Sequence, residues 1–202
     1  MLGILMIRSN YSPIVAAILV VLSTSSSEAR LKHRYSFTDS ANDSISNAHG
    51  TVVDAGEEQN YVYAAGRLDL SANVAESSNN IVEDAYVDLP NGIISAAASS
   101  GVDGAVSFET WASIAQEHPW QRVFDFGTSN NGEDTSGVAD ASASIAITPN
   151  SASFGNGLRL ICQSATGSGI VVDLPGPFPV GSVHHVAAVF DHTNASCRLL
   201  PD

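Results

Sequence analysis

The stretch Ala105–Gly127, "AVSFETWASIAQEHPWQRVFDFG", decides the fold class. In Ala105–Ser113, Val106, Phe108, Thr110 and Ala112 share one face, and Ser107, Glu109, Trp111 and Ser113 share the other. Side chains alternate along a strand with a period of two, so this pattern predicts an extended, half-buried strand. After a polar break, Gln121–Gly127 resumes the alternation, with Arg122, Phe124 and Phe126 opposing Gln121, Val123 and Asp125. Burying Phe108, Phe124 and Phe126 between two layers contributes roughly 2 kcal/mol each. Trp111 and Asp125 then fall on outward faces.

The same texture runs outward in both directions. His33–Phe37, Gly50–Ala55, Gly66–Leu70 and Ala85–Pro90 precede the stretch, and Ala143–Pro149, Gly157–Gln163, Val183–Phe190 and Ser196–Leu200 follow it. These short β-rich runs are separated by Gly, Asn, Asp and Ser, which predicts an all-β, two-sheet antiparallel sandwich or jelly roll. Gly92–Ser100 alone reads as a short helix. Ala75–Asn80 and Gly127–Ser144 read as polar, solvent-facing loops.

A chain of 202 residues suffices for one domain with a sizeable core. Its net charge is −13 with only 8 Lys and Arg. Phosphate backbones require a basic footprint, so nucleic acid is excluded as a partner, and an anionic membrane surface repels the chain. Residues 1–29 read as an export signal: Arg8, then the nine apolar residues Ile14–Leu22, then small residues at Ser27 and Ala29. That apolar run is too short to span a bilayer. An uncleaved anchor lengthened by "MLGILMI" is the alternative. Residues 30–202 are then one secreted or cell-surface domain, with no membrane insertion after signal removal. Cys162 and Cys197 are the only cysteines. In an oxidising compartment they form a disulfide closing about 35 residues, or else they are two buried free thiols.

Together, "LKHRYSF", "DSISNAHGTVV", "YVDLPNGI", "VSFETWAS", "WQRVFDFG", "ITP", "LRLI" and "HHVAAVFD" resemble, in this order, a bacterial group. They look like laminin G-like jellyroll domains of the concanavalin A-like lectin/glucanase superfamily, of the type found in secreted planctomycete proteins. The resemblance covers roughly residues 31–200. It implies a two-sheet jelly roll with a concave face, a calcium site near the sheet edge, and glycan or protein binding. Members of that group continue into a hairpin and a strand of pattern D-E-x-R, whereas this sequence stops at "CRLLPD". The resemblance therefore implies a domain lacking its last strands and one metal ligand.

Candidate site residues follow from chemistry. Trp111 and Trp120 offer indole faces for the apolar face of a pyranose. Glu109, Arg122 and Asp125 form a candidate polar cluster on neighbouring strands, with an Arg–carboxylate pair as its structural reading. Asp39, Asn42, Asp43 and Ser44 make an oxygen-rich turn suited to calcium, with Asp43 and Asp39 as ligands. Against that, Asp, Asn and Ser dominate turns for backbone reasons alone. His184 and His185, adjacent on a strand, point to opposite faces and cannot chelate one ion. No nucleophile elbow and no E-x-D-x-E strand occurs, so no catalytic residue is assigned. The expected function is a non-catalytic binding module for a polysaccharide or extracellular protein, and the resemblance implies that calcium assists it. A glycoside hydrolase or polysaccharide lyase on the same scaffold, or a truncated structural fragment, is the alternative.

Overall fold

The structure, a computed structural model, describes residues 30–54, 58–73, 84–99, 104–129, 141–152, 157–164, 168–191 and 196–201. The export signal over 1–29, the loop Ala75–Asn80 and residues 130–140 lie outside the described residues. Among the described residues the chain is all-β, with one short helix. The elements run β1 (Thr51–Val53), β2 (Val62–Ala64), β3 (Arg67–Asp69), β4 (Tyr86–Asp88), α1 (Ile93–Ser99), β5 (Ala105–Ala112), β6 (Phe124–Ser129), β7 (Ala141–Thr148), β8 (Arg159–Gln163), β9 (Gly169–Asp173), β10 (His184–Asp191) and β11 (Ser196–Pro201). No helix among them is long and apolar enough to cross a membrane.

Among the described residues four antiparallel sheets form: β1-β4, β2-β3, β11-β10-β5 and β6-β7-β8-β9. The two larger ones carry the core. On one face of the three-stranded sheet, Phe108 lies opposite Ala188 and Val106 opposite Phe190. In the four-stranded sheet the row Phe124, Ile147, Leu160 and Val172 runs across all four strands. Ile147, Leu160, Val186 and Ala188 are almost wholly buried and belong to one hydrophobic cluster that both sheets share. Phe108 ties them together: its ring centroid lies 5.0 Å from Phe124, 4.8 Å from Phe126 and 6.1 Å from Phe190. Because these rings meet between the sheets, the alternate residues of β5 and β6 point away from the core in opposite directions.

Cys162 on β8 is bonded to Cys197 on β11, so a covalent link joins the two sheets across the core they share. Backbone contact is equally close at Gly157, where a Cβ would stand 2.3 Å from the Leu174 carbonyl oxygen. A side chain there would force the chain before β8 away from the segment after β9.

Several details depart from the sequence reading. Val123, expected on the face opposite Phe124, packs against the core. It sits just before β6 begins, where its amide donates to Ile147 O at 2.9 Å, so strand alternation does not yet apply. The loop expected over Gly127–Ser144 is shorter, because β6 runs to Ser129 and β7 starts at Ala141. His33–Phe37 forms no strand, only a bridge between Tyr35 and Asp43. Asp88 is half-buried on β4. Two strands were not anticipated. β2 pairs with β3 around Ala65 and Gly66, whose φ values of 52° and 74° make a tight hairpin of the kind normally marked by Asn-Gly. β9 carries Ile170, Val171 and Val172 in succession, with no alternation to mark it.

Candidate functional site

Trp120 sits in the connection between β5 and β6 with φ = 63°. A non-glycine residue in this left-handed region costs on the order of 1–3 kcal/mol and persists where its surroundings over-determine it. Here they do. The Trp120 amide donates to Asn150 O at 2.7 Å, and Asn150 is itself buried. Thr148 Oγ1 donates to the same carbonyl at 2.9 Å, and Asn150 Oδ1 accepts from the Ala152 amide at 2.7 Å. Arg122 Nη1 donates to Trp120 O at 2.8 Å, and its guanidinium lies 5.5 Å from the centroid of the indole. Arg122 Nε donates to Asp125 Oδ2 at 2.9 Å. The indole stays 44% exposed on this support.

Trp120, Arg122 and Asp125 are therefore brought together, and Asp125 is the carboxylate of the Arg–carboxylate pair that the sequence left unspecified. Both partners are substantially solvent-exposed. An ion pair in that setting contributes less than about 1 kcal/mol, so stability alone does not account for it. What it does is orient a guanidinium and a carboxylate beside an indole.

Glu109 and Trp111 are not part of this group. Both lie on β5, on the face turned away from Phe108, and thus on the opposite side of the core from Asp125. The polar cluster of Glu109, Arg122 and Asp125 expected from sequence is corrected to two separate groups, because the two strands carry their outer residues on different sheets. Trp111 is 69% exposed and stacks on His185, its cross-strand partner, with centroids 4.4 Å apart. Glu109 Oε2 stands 3.5 Å from His185 Nε2. His184 faces the other way, with Nε2 2.7 Å from Ser182 Oγ and its ring edge-on to Phe178.

The turn at Asp43 is a closed network. Asp43 is 5% exposed. Its Oδ1 accepts from the amides of Arg34 at 3.1 Å and Ile45 at 2.9 Å. Its Oδ2 accepts from His33 Nδ1 at 2.7 Å and from Ser46 Oγ. The Asp43 amide donates to His49 Nδ1 at 3.1 Å. Burial pushes the carboxyl up, but hydrogen bonds from Ser46, His33, Ile45 and Arg34 outweigh it and hold Asp43 well below the usual carboxylate range. The neighbouring Tyr35 hydroxyl is pushed up to about 12, first by burial and then by the Asp43 charge. It donates to Ala48 O at 2.6 Å.

With four donors on its two oxygens, Asp43 has no lone pair left for a cation. Asp39 is exposed and accepts from Ser40 Oγ at 3.2 Å. Among the described residues, no group of three or more His, Cys, Asp and Glu is arranged to hold a metal. The residues present at this turn do not fit the calcium site that the resemblance implied. Asp43 is a structural anchor for residues 33–49, and acid should reveal it. A group whose folded value lies below its unfolded one stabilises above the unfolded value, near 3.9, and loses that contribution as the pH falls. Asp43→Asn is expected to cost about 2 kcal/mol at neutral pH, because an amide cannot accept from all four donors. In urea titrations the gap between variant and wild type should narrow below about pH 4. A gap independent of pH would show that the Asp43 charge is not what holds the turn.

None of these groups assembles hydrolytic chemistry. Glu109 and Asp125 point away from each other across the core, whereas a glycosidase needs two carboxylates facing one bond, roughly 5–9 Å apart. Ser46, His33 and Asp43 touch, but Ser46 Oγ stands 3.0 Å from the same Nδ1 that donates to Asp43. A proton relay needs the serine and the carboxylate on opposite ring nitrogens. Sequence reasoning missed His185 as a partner of Trp111, and His33, Ser46 and His49 as partners of Asp43. Only register across β5 and β10 reveals the first, and only the closed turn reveals the others. Compared with known proteins, the chain matches no family model, no curated protein and no solved structure.

Proposed function

We propose that this chain is a non-catalytic glycan-binding module acting outside the cell, on a two-sheet jelly roll of the laminin G-like kind. The observation that carries the reading is Trp120: an exposed indole held in a strained backbone conformation by Asn150 and Arg122. Strain maintained at an exposed aromatic is a mark of presentation, since burial gains nothing from it. A pyranose stacks its C–H face on an indole, while its neighbouring hydroxyls both donate and accept. Arg122 and Asp125 supply a donor and an acceptor beside the ring. The net charge of −13 opposes anionic polymers, so a neutral saccharide is the favoured ligand class. The bond between Cys162 and Cys197 fits an oxidising compartment. Two sheets sharing one core support the jelly roll.

Affinity electrophoresis through gels containing soluble β-glucan, galactomannan or xylan tests this reading. The folded protein is expected to be retarded by at least one of them. Trp120→Ala should weaken binding at this indole about thirtyfold, equivalent to about 2 kcal/mol, as for an aromatic anchor at the centre of a contact. Its urea midpoint should stay close to that of the wild type. Retardation by none of the three polymers, with cooperative unfolding intact, defeats the proposal.

A further inference from the structure

We infer that the module is divalent, with a second saccharide platform formed by Trp111, Glu109 and His185 on the opposite outer face. The inference rests on the glycan-binding reading above and extends it to a cross-linking role. Three observations carry it.

The first is presentation. Trp111 is the most exposed large apolar side chain among the described residues, on a regular strand whose neighbouring positions alternate cleanly. One side of the indole rests on the His185 imidazole at 4.4 Å with a 33° tilt. This contact fixes the ring while leaving most of it open to a stacking partner. β5 terminates the three-stranded sheet in the order β11-β10-β5, so the ring stands on a margin strand where an extended polymer can lie across it.

The second is the chemistry around the ring. Glu109, two residues along the same face, places Oε2 3.5 Å from His185 Nε2 and remains largely exposed. An acceptor within one strand repeat of the indole repeats the arrangement at Trp120, where Asp125 has that role. Ser107 and Arg198 continue this outer face together with Val189, Ala187 and the half-exposed Leu200. An indole with a carboxylate and an imidazole beside it suits the C–H face and hydroxyls of a sugar ring.

The third is direction. Phe108 of β5 meets Phe124 and Phe126 of β6 between the sheets. The residues alternating with them, Trp111 and Asp125, therefore face opposite sides of the molecule. A single saccharide chain lying flat on one platform cannot reach the other, because two sheet layers about 10 Å apart intervene. Two occupied platforms then bind two chains.

Light scattering from mixtures of the full-length protein with whichever soluble neutral polysaccharide retards it, β-glucan, galactomannan or xylan, reads this directly. Wild type is expected to cross-link the polymer and raise scattering as protein is added, then lower it at excess protein. Trp111→Ala and Trp120→Ala should each still be retarded in the gel, yet neither should raise scattering. The double variant should not bind. Cross-linking by Trp111→Ala equal to wild type overturns divalency and leaves the Trp120 platform standing. Unaltered binding by Trp120→Ala, with all binding lost in Trp111→Ala, overturns both divalency and the Trp120 reading. Absence of retardation of the wild type by all three polymers overturns both as well.

Discussion

Phe108→Ala is expected to lower the free energy of unfolding by about 3–4 kcal/mol, the largest effect of any single substitution considered for this protein. The ring touches Phe124, Phe126 and Phe190, which come from both larger sheets. Truncation removes its apolar burial and leaves a gap that neighbours anchored in two sheets cannot collapse to fill. Domains are stable by only about 5–15 kcal/mol, so this loss is a large fraction of the total. Urea unfolding followed by tryptophan fluorescence measures it. The midpoint should fall with little change in slope, since the surface exposed on unfolding is nearly the same. Phe108→Leu, which keeps most of the volume, should cost less than about 1.5 kcal/mol. A loss below about 1 kcal/mol in the alanine variant would mean that Phe108 does not join the two sheets.

The second large effect lies in the Cys162–Cys197 link, which closes a separation of 35 residues. Cross-linking at that distance restricts the unfolded chain, and its removal should cost about 3–4 kcal/mol. The double variant Cys162→Ala/Cys197→Ala should therefore unfold at a clearly lower urea concentration than wild type. Adding reductant should lower the midpoint of wild type and leave the variant unchanged. Because both cysteines also pack against the core, the variant loses some burial as well. The reductant experiment on wild type isolates the cross-link from that packing term. Thiol titration of the denatured, unreduced protein should find no reactive thiol. Two reactive thiols, with a midpoint indifferent to reductant, would sink the assignment.

The two proposed platforms bear on each other through these core residues. Phe108 and Phe124 set the separation of the sheets, and Trp111 and Asp125 are their near neighbours along β5 and β6. A core variant that stays folded can therefore alter presentation of both indoles, and stability should be measured before binding in every variant.

Much of the fold was legible in the chain itself. Alternation in Ala105–Ala112 marked both the strand and its inward face, because period-two patterning is a local property that burial on one side enforces. The same reasoning placed β7, β8, β10 and β11 within a few residues. It failed at β9, where successive apolar residues carry no period, and at β2, too short for a period to appear. It also failed at Val123, where a residue entering a strand obeys its turn and not the strand.

The candidate sites divide along the same line. That Trp111 and Asp125 point outward and that His184 and His185 oppose each other followed from spacing along one strand, and that Arg122 could pair with a carboxylate followed from its charge. Which carboxylate it pairs with did not. Glu109 and Asp125 look equivalent in sequence, and only the meeting of β5 and β6 through their phenylalanines puts them on opposite sides of the molecule. Asp43 likewise reads as an open oxygen-rich turn, yet His33, Arg34, Ile45 and Ser46 converge on it and use up its acceptors. Local periodicity determines which face a residue occupies, since each residue's direction depends only on its own backbone. Which faces meet, and which polar groups satisfy one another, depends on contacts between segments distant in the chain, and only the tertiary structure decides them.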